Sequence, residues 1–158
     1  MQKRPPTNGY GAIRFTKIGM NAIEYHRQLN DEEPEICRTK ITSEPDSSYF
    51  MAIDTYQSVV ADITNWSLHQ IAVSSISTSW TYSDRIDEWV QSLSFAVTYI
   101  PDVIQCPVKV NLGKVALESL SKGVEKLQEA LFDEAWAYLM GKRTQQVLEL
   151  FPGNREAS

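Results

Sequence analysis

Residues 117–140 read LESLSKGVEKLQEALFDEAWAYLM, and their apolar positions recur at intervals of three and four residues. In an α-helix this spacing places the apolar side chains on one side of the cylinder. The stripe is made of Leu117, Leu120, Val124, Leu127, Leu131, Ala135 and Tyr138. The sequence therefore predicts a long amphipathic C-terminal helix that begins at Leu117 and runs to Gly141.

The apolar stripe of this helix widens towards its end. Between Leu131 and Met140 only Asp133 and Glu134 are polar, and a helix with two apolar faces needs two surfaces to cover them. We expect the second surface to belong to another chain, and burial against the protein's own sheet is the alternative. The predicted interaction residues are Phe132, Trp136, Leu139 and Met140.

Residues 71–82, IAVSSISTSWTY, are rich in β-branched and hydroxyl side chains and predict a strand. The hydroxyl-rich face of this strand, from Ser75 to Thr81, is predicted to be exposed to solvent. Residues 57–66 fit either a helix or a continued strand. The remaining predictions are strands at 10–18, 35–42, 49–56 and 106–110, a short helix at 20–29, a cap region at 111–114 and further helix at 142–151.

Residues 83–100 predict a second amphipathic helix. Ser83 is a suitable N-cap, acidic residues follow it in the first turn, and Pro101 fits the end. The apolar face consists of Ile86, Trp89, Val90, Leu93, Val97 and Ile100. Leu93 lies at the centre of this face, so we expect it in the core.

Strands dominate the first half of the chain and helices the second. This order predicts an α+β fold, with a small, mostly antiparallel sheet covered on one face by helices. The chain of 158 residues is long enough for one domain. We expect a flexible arm at 1–8, a single α+β domain at 9–152 and a frayed tail at 153–158.

The charge distribution restricts the class of partner. The net charge is −5, and residues 21–54 carry eight acidic against three basic side chains. Such a chain repels phosphate backbones, which makes nucleic acid an unlikely partner and favours a protein with a basic surface. No apolar run of about 18 residues is present. We therefore expect a cytoplasmic protein that makes no membrane contact.

The sequence contains no nucleotide, cofactor or metal motif, and we expect no cofactor and no metal. Cys37 and Cys106 lie far apart and are expected to be buried free thiols. His26 and His69 lack a histidine or aspartate at zinc-ligand spacing. An enzyme is the alternative function, with a site assembled in three dimensions around His69 or His26 and a carboxylate.

These observations favour a small protein that works by binding another protein, as an adaptor, an assembly subunit or an inhibitor. The two apolar faces of the C-terminal helix also predict self-association into a homo-oligomer through the C-terminal helices. This choice rests on the apolar residues of that helix and on the acidic charge, because the sequence displays no catalytic signature.

Overall fold

The computed structural model describes residues 12–28, 33–42, 47–103, 106–120 and 122–141. The predicted arm, tail and helix at 142–151 lie outside these residues. In the described part the strands are β1 (Ile13–Gly19), β2 (Ala22–Arg27), β3 (Glu35–Lys40), β4 (Ile71–Ser83), β5 (Glu88–Tyr99) and β6 (Val108–Ala116). The α-helices are α1 (Ser47–Asp54), α2 (Gln57–Thr64) and α3 (Val124–Leu139), and 3-10 turns occupy Leu68–Gln70 and Leu117–Ser119.

The strands form one antiparallel sheet in the order β3-β2-β1-β4-β5-β6. Each half of the sheet is a meander of three consecutive strands, and the two halves meet where β1 pairs with β4. Helices α1 and α2 pack on β4, whereas α3 packs on β1 and α1. The predicted α+β fold is therefore confirmed. None of the described helices is long and apolar enough to cross a membrane.

The core lies between the sheet and the helices. Its aromatic contacts join elements that are distant in sequence: Phe15 stacks on Phe132 with ring centroids 5.2 Å apart, and Tyr56 contacts Phe95 at 5.9 Å. Leu93 is completely buried, so its expected place in the core is confirmed. The other fully buried large side chains of the described residues are Phe15, Tyr49, Tyr56, Tyr138, Ile18, Ile23, Ile53, Ile76, Leu131, Val60 and Val97.

The pairing of β1 with β4 joins the two halves of the sheet through three residue pairs, Lys17↔Ser77, Ile18↔Ile76 and Gly19↔Ser75. Two side chains reinforce it. The Thr78 hydroxyl donates a 2.7 Å hydrogen bond to the carbonyl oxygen of Phe15, beside a register shift in β1. The Tyr49 hydroxyl donates a 2.6 Å hydrogen bond from α1 to the carbonyl oxygen of Gly19.

The predicted helix at 83–100 is wrong, because residues 88–99 form strand β5. Leu93 and Val97 of the predicted stripe are an even number of residues apart, so in a strand they share one buried face with Phe95. Ile86 and Ile100, at the even positions, are exposed. Pairing with β4 along the whole of β5 supplies the backbone hydrogen bonds and buries this face. Tertiary contact therefore overrides the helical pattern.

Two shorter predictions are also wrong, and one open alternative is decided. Residues 22–27 form strand β2 rather than a helix, since Ile23 is buried opposite Ile18 of β1. Residues 49–56 lie largely in helix α1 rather than a strand, and Tyr49, Ala52 and Ile53 recur at helical spacing on its buried side. Residues 57–64 form helix α2, which decides the ambiguity at 57–66.

The boundaries of the last two elements differ from prediction. Strand β6 extends from Val108 to Ala116, so the expected cap region at 111–114 is part of the strand. Helix α3 begins at Val124, because Leu117–Ser119 form a separate 3-10 turn. Leu117 and Leu120 still pack against the core, so they continue the apolar stripe without belonging to the helix.

Gly19 provides a direct test of the junction between β1 and β4. A Cβ atom at this position would lie 2.9 Å from the Ser75 Cβ and 3.1 Å from the Ser74 carbonyl oxygen. We expect Gly19→Ala to lower the free energy of unfolding by about 1–3 kcal/mol, as forced overpacking does. Urea denaturation measures this change.

Gly123→Ala is the matched control, because an added Cβ at Gly123 would meet no atom within 4 Å among the described residues beyond its immediate neighbours in the chain. Its free energy of unfolding should stay close to that of the wild type. Equal stability of the Gly19→Ala variant and the wild type would contradict the proposed close approach of the two strands.

Candidate functional site

The hairpin formed by β4 and β5 is longer than the segments that pair with the neighbouring strands β1 and β6. The two strands pair from Ile71↔Tyr99 to Ser83↔Glu88, whereas β4 pairs with β1 only between Ser75 and Ser77 among the described residues. The end of the hairpin, from Trp80 to Gln91, therefore extends past the junction between the two halves of the sheet.

A cleft of about 220 Å³ lies where this hairpin end meets the 3-10 turn at Leu117–Ser119 and the first turn of α3. We call it the hairpin cleft. It is lined by Trp80, Ile86, Glu88, Trp89, Val90, Gln91, Leu117, Glu118 and Glu125. These residues come from both strands of the hairpin, from the turn between them, from the 3-10 turn and from α3.

Two of the lining side chains carry buried N–H groups without an acceptor. Trp80 and Gln91 lie directly opposite each other in the β4–β5 register. The Trp80 Nε1 and Gln91 Nε2 atoms are buried, and neither has a hydrogen-bond partner among the described residues. An unpaired buried donor costs about 1–3 kcal/mol, so the folded protein gains free energy if an acceptor reaches these atoms.

Aromatic and aliphatic side chains lie beside these donors. The next cross-strand pair towards the turn on the same face of the hairpin is Tyr82↔Trp89, whose rings meet edge to face with centroids 5.5 Å apart. Ile86 in the hairpin turn is 44% exposed. The cleft therefore combines an apolar wall with a small number of polar groups, as binding sites for ligands commonly do.

Three carboxylates surround the cleft. Glu88 lies at the start of β5, Glu118 in the 3-10 turn and Glu125 in the first turn of α3, and all three are exposed. No ion pair involving them is present among the described residues. Like charges gathered at a cleft raise the local concentration of ligands of opposite charge, so this site attracts cations.

The predicted interaction residues of the C-terminal helix occupy different environments. Phe132 is buried and stacks on Phe15 of the protein's own sheet. Trp136 and Leu139 are half-buried and pack against the core. Met140, immediately after α3, is 62% exposed. The second apolar face is thus partly covered by the same chain, and its exposed part is concentrated at Met140.

The two histidines lie in separate places. The Arg14 guanidinium donates a hydrogen bond to His26 Nδ1 at 2.9 Å, and burial together with the Arg14 charge lowers the pKa of His26. His69 lies 4.0 Å from Asp102, and both side chains are more than three-quarters exposed. The structure therefore brings His69 to a carboxylate, but neither residue lines the hairpin cleft.

The cysteines and acidic residues do not form a metal cluster in the described part of the chain, where no group of three or more potential ligands was found. Both cysteines are free thiols. Cys37 is half-buried and Cys106 is exposed, so the expectation that both are buried is wrong. Cys106 lies in the connection before β6.

The hairpin cleft was missed in the sequence because residues 83–100 were assigned to a helix. In a strand, Gln91 falls in the inward-facing series with Trp89 and Leu93. A glutamine between two such apolar positions is the signal that identifies the site. Glu118 and Glu125 give no comparable signal, because acidic residues are common on exposed turns.

Comparison with known proteins identifies no relative. No protein-family model, no curated protein and no solved structure matches the chain.

The unpaired donor of Gln91 has a measurable effect on stability. Gln91→Leu removes a buried N–H group that has no acceptor, and we expect the free energy of unfolding to rise by about 1–3 kcal/mol. Urea denaturation at constant pH measures this change.

Gln70→Leu is the matched control, because Gln70 is equally buried, at 8% exposure, and its side-chain oxygen accepts a hydrogen bond from the Ser67 N–H. This substitution should lower the free energy of unfolding. If Gln91→Leu destabilises the protein to the same extent, the Gln91 amide is satisfied and the account of the cleft is wrong.

Proposed function

We propose that this protein is a cytoplasmic protein-binding module, acting as an adaptor, an assembly subunit or an inhibitor, and that it binds its partner in the hairpin cleft. The observation that supports this proposal is the pair of buried N–H donors of Trp80 and Gln91, neither of which has an acceptor among the described residues. A binding partner that supplies acceptors would relieve the cost of leaving these donors unpaired.

A polypeptide segment supplies acceptors of this kind. Each residue of an extended chain has a carbonyl oxygen that can accept hydrogen bonds, and its side chains can pack against Trp89 and Ile86. The cleft volume of about 220 Å³ is smaller than the roughly 300–1,000 Å³ of pockets for drug-sized ligands. The size therefore favours one anchoring residue of a larger partner over a complete cofactor.

Selection of peptides tests this proposal. We expect a random dodecapeptide library, displayed against the intact 158-residue protein, to yield sequences that bind the wild type. These sequences should lose most of their binding to a Trp80→Phe/Gln91→Leu double variant. Trp80→Phe removes the indole N–H together with part of the ring, and Gln91→Leu replaces the amide by an apolar group of similar size. Fluorescence anisotropy of labelled peptides measures the combined loss of binding.

A Trp66→Phe variant controls for the general loss of an indole, since Trp66 stacks on Tyr99 and does not line the cleft. It should bind the selected peptides as the wild type does. Failure to enrich any peptide, or equal binding to the wild type and the double variant, would contradict binding in the cleft.

Self-association through the C-terminal helix is a second proposal. It is supported by the exposure of Met140, at 62%, next to the half-buried Trp136 and Leu139. An exposed apolar residue beside other partly covered ones is a common feature of interfaces. This contact would lie at the end of α3, whereas the hairpin cleft includes the first turn of that helix.

Sedimentation equilibrium tests the second proposal. If copies associate through this surface, Met140→Glu should convert the oligomer to a monomer without loss of helical circular dichroism, because a charge would be placed in a desolvated contact. Ala130→Glu adds the same charge at an exposed position of α3 and should leave the mass unchanged. A wild-type protein that sediments as a monomer would contradict self-association.

A further inference from the structure

We propose that the residue bound in the hairpin cleft is an arginine or lysine of the partner, held by its own backbone carbonyl and by its positive charge. This inference rests on the proposed function and specifies its partner. The carbonyl oxygen accepts from Trp80 Nε1 and Gln91 Nε2, while the basic side chain extends towards Glu88, Glu118 and Glu125. The cleft thus recognises two groups that every basic residue in a polypeptide carries together.

The carboxylates determine the sign of the charge. They come from three different elements, β5, a 3-10 turn and α3, and they meet around one cleft. None of the three forms an ion pair within 4.0 Å among the described residues. Three negative charges around one cleft repel one another. A basic residue of the partner would reduce this repulsion, whereas an acidic or a neutral residue would not.

The aromatic wall favours the same ligand. Trp89 lines the cleft together with these three acidic residues. The face of an indole attracts ammonium and guanidinium groups, and it also covers the aliphatic part of a lysine or arginine side chain. Trp89 and the three carboxylates would therefore contact the same lysine or arginine side chain, in the outer part of the cleft.

The donors select the second group of the ligand. Gln91 is only 8% exposed, and its Nε2 atom and the Trp80 Nε1 atom have no acceptor. Gln91 lines the cleft, so its side chain borders the space that the bound residue would enter. An N–H donor does not bind a cation, and for this reason the inference includes the carbonyl group as well as the charge.

The test uses the tightest peptide from the library selection, synthesised with its basic residues and again with citrulline in place of each arginine and norleucine in place of each lysine. These replacements preserve the shape of the chain and remove the charge. We expect the basic peptide to bind the wild type at least about tenfold more tightly than its neutral counterpart. Added sodium chloride should weaken the basic peptide more than the neutral one.

Protein variants locate the effect. Glu118→Gln and Glu125→Gln should each reduce the preference for the basic peptide, while Glu129→Gln, which makes the same charge change at an exposed residue of α3 outside the cleft lining, should not. An equal loss in the Glu129→Gln variant would mean that net charge alone attracts the peptide, and it would overturn the inference.

Further outcomes separate the two proposals. Selected peptides without a basic residue, or equal affinity of the basic and neutral peptides, would overturn the inference and leave binding in the cleft intact. Free L-arginine that binds more tightly than the peptide would also overturn it, because the ligand would then be a small molecule. If no peptide depends on Trp80 and Gln91, the proposed function fails together with the inference.

Discussion

The short pairing of β1 with β4 is the constraint on which the rest of the structure depends. In the described part of the chain three residue pairs join the two three-stranded meanders, and these pairs make one sheet out of two halves. The absence of a side chain at Gly19 allows the close approach, and the Thr78 hydroxyl completes the hydrogen bonding where the register of β1 shifts. The Tyr49 hydroxyl then fixes helix α1 to the same point.

The same constraint produces the candidate site. Because β4 pairs with β1 only from Ser75 to Ser77 in the described structure, the hairpin of β4 and β5 continues beyond the junction and carries Trp80 and Gln91 with it. The chain returns through β6 and the turn at Leu117–Ser119, which places Glu118 beside the hairpin end. The joined strands of the sheet thus hold the end of the β4–β5 hairpin, in which polar groups remain unpaired. Unpaired buried polar groups are typical of functional sites.

Local sequence predicted the fold class but not the site, and the reason is physical. The β-branched residues of β4 and the helical stripe of α3 carry their signal within one element, so both were recognised. Residues 88–99 fit helix and strand spacing alike, and only their pairing with β4 decides between them. The hairpin cleft combines side chains up to 45 positions apart, from Trp80 to Glu125, and such proximity is a property of the topology.

Solvent exchange of the Trp80 indole Nε1–H, measured by nuclear magnetic resonance, tests the central claim most directly. The claim is that the cleft holds donors that acquire acceptors only when a partner binds. Addition of a selected peptide should slow the exchange of this proton and shift its resonance, while the indole proton of Trp66, outside the cleft lining, remains unchanged. Identical exchange of the Trp80 proton with and without bound peptide would contradict the account.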